Sequence, residues 1–203
     1  MLGSLSGSYI IDALITIIIS LSIHEAMHAY VAHALGDTTA QEMGRLSLNP
    51  LKHIDPLTTI ALPIITLLLF QIPILAAKPV PFNPNRVKYE EFGSALIAAA
   101  GPLSNLILAI FGALLIHITT NTTIFNFLDT FVILNVALFI FNILPIPPLD
   151  GSRVLYAFAP EPLQEFMQTI EPYGLFIVFA LVLTGVLTSF LITLNNDILR
   201  LLP

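Results

Sequence analysis

The chain has 203 residues, 56% of them hydrophobic and only 10% charged, and its mean hydropathy is +0.91; a soluble domain carries roughly 25% charged residues, so this is the composition of an integral membrane protein. Seven Lys+Arg against 13 Asp+Glu give a net charge of −6, which argues against a nucleic-acid partner, because a basic surface supplies most of that affinity. There is no cysteine, so disulfides, iron–sulfur clusters and thiolate metal sites are excluded, and any metal must be held by His, Asp, Glu or carbonyl oxygen.

A bilayer span needs ~20 apolar residues, and five stretches approach or exceed that length. The first covers residues 9–35. It is preceded by no basic region of the secretory-signal type and is read as retained. Asp12 lies near its start, and past its middle comes "SLSIHEAMHAYVAH", residues 20–33. In His24-Glu25-Ala26-Met27-His28 the histidines are four apart, so on a helix they share a face, about 6 Å apart along the axis. Both can ligate one metal ion. Glu25, about 100° round the helix, flanks that face and can take a proton from an activated water, which is the zinc-hydrolase arrangement. In a soluble helix the same residues could be a solvated face. At mid-bilayer each ionisable side chain costs on the order of 2.5–3.5 kcal/mol and needs a partner, and a metal with its water provides one.

After this helix, Arg45, Leu46, Ser47 and Leu48 alternate polar and apolar, predicting a short membrane-associated strand whose edge could accept an unwound substrate as an extra strand. The second apolar stretch, residues 56–77, has no charge but contains Pro63 and Pro73. If it crosses the membrane, the Lys and Arg residues divide four against three. If it is re-entrant, Arg45, Lys52, Lys78, Arg86, Lys88 and Arg153 share one face and Arg200 stands alone on the other, the usual positive-inside asymmetry. A broken hairpin buried against protein also suits two prolines. The expected architecture is therefore an all-α polytopic bundle of about four full spans plus a re-entrant hairpin, with the N-terminus outside.

The third stretch, residues 93–118, includes "AAAGPLSN" at 98–105, whose small residues allow close helix approach; Asn105 reads as a packing and hydrogen-bond residue. The fourth, residues 124–149, runs into "FNILPIPPLDGSRVL", where Pro145, Pro147 and Pro148 must break the helix and Gly151 permits a turn that other residues resist. A carboxylate at Asp150 would project into a cavity on the face of the His28 end, provided the second stretch is re-entrant. Catalytic zinc usually has three protein ligands, so a third is required. Asp12 is about 18 Å away along its own helix, His33 is off the His24/His28 face, and His117 and Asp129 flank a loop at the other face. Asp55, Glu161, Glu165, Glu171 and Asp197 lie in or beside polar connections. The fifth stretch, residues 172–196, is read as a span.

"HEAMH", "AAAGPLSN" and "NILPIPPLDG" (142–151), in this order and spacing, resemble the site-2 protease family of intramembrane zinc metalloproteases; "GRLSLNPLKHIDP" (44–56) and "KPVPFNP" (78–84) resemble its compact prokaryotic branch. The resemblance implies one Zn²⁺ held by His24, His28 and Asp150, with Glu25 as catalytic base, and hydrolysis of a peptide bond within or near a substrate's transmembrane segment. It implies a prokaryotic inner membrane and, with the charge asymmetry, an active site toward the cytoplasm; the connecting segments are short, so a single domain over 1–203 is expected, with its catalytic core at about 9–155 and, unlike larger relatives, no appended soluble domain. A homo-oligomer is compatible with it. Asn142 matches the family's asparagine before the proline-rich turn; its amide could bind substrate backbone or a developing oxyanion, or it could satisfy carbonyls freed by Pro145. Two rival classes are a membrane metal transporter, which would distribute ligands along a path, and an inactive peptide-binding scaffold, which would not need the complete ligand set.

Overall fold

The computed structural model describes residues 7–53 and 80–203, and among these it is helical. Helix α1 is Gly7–Ala34 and α2 is the single turn Thr39–Glu42. Then come α3, Glu90–Ile116, α4, Thr122–Ile143, α5, Asp150–Phe158, α6, Glu161–Ile170, α7, Gly174–Leu183, and α8, Val186–Leu199. Among the described residues four apolar helical runs are long enough to cross a membrane: Gly7–Ala34, Glu90–Ile116, Thr122–Ile143 and Glu161–Leu183. The last differs from the single span expected at 172–196. Gly185 takes a left-handed φ of +74° and donates to the Val182 carbonyl, so one helix stops there and α8 starts anew.

Small side chains determine how closely the bundle packs. Ala26, Ala29 and Ala32 of α1 have no exposed surface, and Ala95, Ala98 and Ala100 of α3 are buried; without bulk at the seam the two backbones approach, and dispersion rather than water exclusion holds them in lipid. Ile10, Ile11, Leu14, Ile15 and Ile18 point outward on α1, as a lipid-facing surface should. At the other side of α3, Ala109 and Ala113 pack with Val132, Val136 and Ile140 of α4, and Leu191, Leu194, Ile198 and Leu199 of α8 close over them. Helix α4 begins at a built cap, where the Asn121 side chain accepts the N–H groups of Thr123 and Ile124 at 2.9 and 3.1 Å.

Polar ties gather at the α1 C-terminal end. Asp37, fully buried, accepts from the Thr39 N–H at 3.0 Å, the Thr39 hydroxyl at 2.5 Å and the Asn83 N–H at 2.7 Å. Burial alone would raise its carboxyl, but these donors outweigh burial and hold it below the ordinary carboxylate range, so it is charged at neutral pH. Beside it Arg86 pairs with Glu42 at 3.0 Å, and the Lys88 N–H donates to the Leu35 carbonyl at 2.9 Å. The segments before residue 54 and after residue 79 are thus tied together at one end of the bundle. The expected hairpin at 56–77 itself lies outside the described residues. Glu91, at the start of α3, accepts from Gln164 of α6, and Arg153 of α5 pairs with Glu171, placing Arg153 toward this end as well. Arg200 follows Ile198 and Leu199, which pack against the same buried cluster as Ile116, the last residue of α3 and so at the end away from Glu90.

The short strand expected at Arg45–Leu48 does not form among the described residues. The Arg45 N–H turns back to the Ala40 carbonyl at 2.8 Å and the Ser47 N–H to the Arg45 carbonyl at 2.9 Å, so these groups are used locally rather than in a ladder. The His53 ring donates to the Ser47 carbonyl at 2.7 Å and holds the bend.

Candidate active site

Helix periodicity puts His24 and His28 one turn apart on the buried face of α1, with Glu25 beside them; they are 4%, 8% and 7% exposed. Their Nε2 atoms lie 3.0 Å apart. Asp150, from the first turn of α5, brings Oδ2 to 3.1 Å from His24 Nε2 and 3.4 Å from His28 Nε2. These three residues form the candidate metal group found among the described residues.

Two outward contacts decide which ring nitrogen faces inward. His28 Nδ1 donates to the Ile97 carbonyl at 2.7 Å. His24 Nδ1 donates to Asn105 Oδ1 at 2.7 Å. Both acceptors come from α3, on either side of Pro102, which has no N–H and therefore leaves the Ala98 carbonyl without its helical donor. With hydrogens on both Nδ1 atoms, two imidazole lone pairs and a carboxylate converge with no proton among them, an arrangement that repels itself unless a cation sits between. The separations of 3.0–3.4 Å match the edge of about 3.3 Å for a tetrahedron with ~2.0 Å metal–ligand bonds. Gly101 leaves the room: a Cβ there would stand 2.3 Å from His28 Nε2 and 2.6 Å from His24 Nε2. The residues therefore fit zinc, a metal that takes N and O donors tetrahedrally.

Glu25 does not point at this cluster as a further ligand. Its Oε2 accepts the backbone N–H of Val80 at 2.9 Å, which fixes the carboxylate and leaves its second oxygen free of that bond. Asp150 is delivered by close packing rather than by glycine's conformational freedom. Gly151 is helical, without a positive φ, and a Cβ on it would meet the Ile143 carbonyl oxygen at 2.0 Å; only a bare Cα lets α5 start against the end of α4. This corrects the sequence reading of Gly151 as a turn residue.

Asn142 donates to the Leu138 carbonyl at 2.9 Å. The carbonyl that Pro145 frees belongs to Phe141, and it is met at 3.4 Å by the Leu144 N–H instead. Arg45 is buried and Leu48 exposed, with Leu46 and Ser47 between, all in the loop after α2. Sequence reasoning passed over three participants: the Val80 N–H and the Ile97 carbonyl, which are backbone groups without a residue signature, and Asn135. The last had a readable signal, a lone amide in the middle of an apolar span.

Membrane-length helices around two imidazoles and a carboxylate, with a second carboxylate alongside, define an integral membrane protein with a metallohydrolase centre. The sequence model described as Peptidase family M50 matches residues 116–185. The chain is 38% identical over 188 residues to "Putative zinc metalloprotease YwhC" of Bacillus subtilis, covering 88% of this chain and 82% of that one. It is 28% identical over 181 residues to "Putative zinc metalloprotease Rip2" of Mycolicibacterium smegmatis, covering 84% and 66% respectively, and 28% identical over 170 residues to Rip2 of Mycobacterium tuberculosis, covering 82% and 63%. No solved structure matches the chain at a significant level. The chain belongs to peptidase family M50, the site-2 protease family. It is a membrane metalloprotease whose cofactor is zinc.

Proposed function

We propose that this chain hydrolyses peptide bonds within or near the transmembrane segments of membrane-protein substrates, with His24, His28 and Asp150 holding zinc and Glu25 acting as general base, all within a single catalytic core at about residues 9–155. The observation that carries this is the convergence of three lone-pair donors at 3.0–3.4 Å beside an independently anchored carboxylate, on helices long and apolar enough to cross a membrane. Bound there, zinc supplies Lewis acidity, which polarises a scissile carbonyl and activates water at neutral pH. Glu25, aimed by the Val80 N–H, takes the proton of the attacking water at its other oxygen and passes it to the leaving amine. A helical substrate hides its carbonyls in its own hydrogen bonds, so it must be locally extended first. Asn142 binds that extended backbone or the oxyanion once its bond to Leu138 is exchanged. Ligands confined to one compact group among the described residues suit hydrolysis better than transport along a path.

The test is cleavage of a panel of transmembrane peptides by detergent-purified protein, with zinc measured on the same samples. Wild type should carry about one zinc per chain and cleave, as catalytic sites of this ligand type do. His28→Ala should lose both. Cleavage that persists without metal would remove the zinc mechanism, and metal without cleavage of any peptide would favour a scaffold.

The orientation we infer places Arg45, Lys52, Arg86, Lys88 and Arg153 on the cytoplasmic face of a prokaryotic inner membrane. Its support is that the segments flanking residues 54–79 meet at one end of the bundle through Asp37–Asn83, Glu42–Arg86 and Leu35–Lys88, which suits a chain that enters and leaves on the same side. A reporter fused at Lys88 should read as cytoplasmic; an external signal there reverses the assignment.

A further inference from the structure

We propose that Asn135, in the middle of α4, is a positioning residue that sets the tautomer of His24 through the amide of Asn105, and so presents the His24 Nε2 lone pair to the metal. The inference rests on the reading of His24 as a zinc ligand. It begins at a backbone group whose role admits no ambiguity. Asn135 Nδ2 lies 2.8 Å from the Phe131 carbonyl oxygen, which has no hydrogen to give, so this end of the Asn135 amide must be the donor. The other end is then its oxygen, and it lies 3.1 Å from Asn105 Nδ2. The same Asn105 nitrogen lies 3.5 Å from the Ser20 carbonyl, so both of its hydrogens face acceptors. Asn105 Oδ1 is left to face His24 Nδ1 at 2.7 Å, and an oxygen there can only accept. His24 therefore carries its hydrogen on Nδ1.

The chain of contacts crosses three helices, α4 to α3 to α1, and both amides are fully buried. Water is not at hand to satisfy a flipped amide. His28 receives the same instruction in one step, from the Ile97 carbonyl. His24 has no such carbonyl partner. Its acceptor is an amide, which presents either an oxygen or an NH₂ group after a half-turn; Asn135, at 3.1 Å, is the nearer of the two acceptors that tell it which, the Ser20 carbonyl at 3.5 Å being the longer and weaker. If Asn105 flips, its NH₂ faces His24 Nδ1, the ring hydrogen moves to Nε2, and the nitrogen that must face the metal is occupied. Second-layer partners of this kind typically contribute 10–100-fold in metal affinity.

The test uses the full chain with ¹⁵N-labelled histidine, stripped of zinc by a chelator, with His24 tautomers read from ring nitrogen shifts and zinc affinity read by competition with a chelating dye. Wild-type His24 should be the Nδ1–H form. Asn135→Leu should give a mixture or the Nε2–H form and bind zinc 10–100-fold more weakly. Asn135→Asp should restore both, because a protonated carboxyl donates to the Phe131 carbonyl and accepts from Asn105 as the amide does. A wild-type His24 in the Nε2–H form overturns the proposal without any variant. So does Asn135→Leu with an unchanged tautomer, whatever its zinc affinity, since an affinity loss shared equally by Leu and Asp would be structural. His24→Ala separates the two readings: unchanged zinc affinity there would remove His24 from the ligand set, while the ring shifts still decide whether Asn135 sets the tautomer.

Discussion

Glu25→Gln should abolish cleavage while zinc stays bound. The oxygen of the introduced amide can still accept the Val80 N–H that Glu25 accepts at 2.9 Å, so the side chain keeps its direction, and none of the three candidate ligands is touched. What is lost is basicity. An amide cannot take the proton of the attacking water, and a positioned base typically contributes 10²–10⁴-fold in rate. Zinc analysis and peptide cleavage on the same preparation check this. Turnover within about tenfold of wild type would show that another group accepts the proton, since losing a general base costs more than that. Loss of zinc in the variant would move Glu25 into the ligand set.

The second large effect is expected at Gly101, a residue with no chemistry of its own. A methyl group there would stand 2.3 Å from His28 Nε2 and 2.6 Å from His24 Nε2, inside the space the metal needs. The rings cannot retreat easily, because Asn105 and the Ile97 carbonyl hold their far sides at 2.7 Å. Gly101→Ala should therefore lose most bound zinc and at least ~100-fold of activity, the upper range for disrupted support of a metal ligand. The helix itself should not weaken, since alanine is better than glycine by about 1 kcal/mol in a helix interior. Gly112→Ala is the control on the same helix: its Cβ would meet Val132 and Phe131 rather than the cluster, and zinc should be retained. Full zinc occupancy in Gly101→Ala would mean that α3 stands farther from α1 than 2.3 Å implies.

Much of the site was legible because it is local. His24, Glu25 and His28 fall on one turn of a helix, and a helix places residues i and i+4 together whatever surrounds it. Asp150 was legible less directly, from three prolines that must end α4 and from the resemblance that assigned the carboxylate a role. The small run at 98–105 announced close approach but not its purpose. The Ile97 carbonyl turned out to accept from His28, and Asn105, read as a packing and hydrogen-bond residue, turned out to bond to His24. The strand at Arg45–Leu48 was misread because alternation over four residues is also compatible with a bend, and the local bonds of Arg45 and Ser47 are made within a few residues.

The sequence by itself determined that this is a membrane protein, that His24, Glu25 and His28 lie together on one turn of a helix as a candidate site, and which family it resembles. Those follow from composition and short-range periodicity, which need no partner segment. Only the tertiary structure decided that Asp150 meets both histidines, that Gly101 and Gly151 allow close approach rather than an unusual backbone, and that Asn105 bonds to an amide 30 residues further along the chain. The physical reason is distance along the chain. His24 and Asn105 touch across 81 residues, and a contact of that kind exists only once helices pack at a particular rotation and spacing, which no window of the sequence contains.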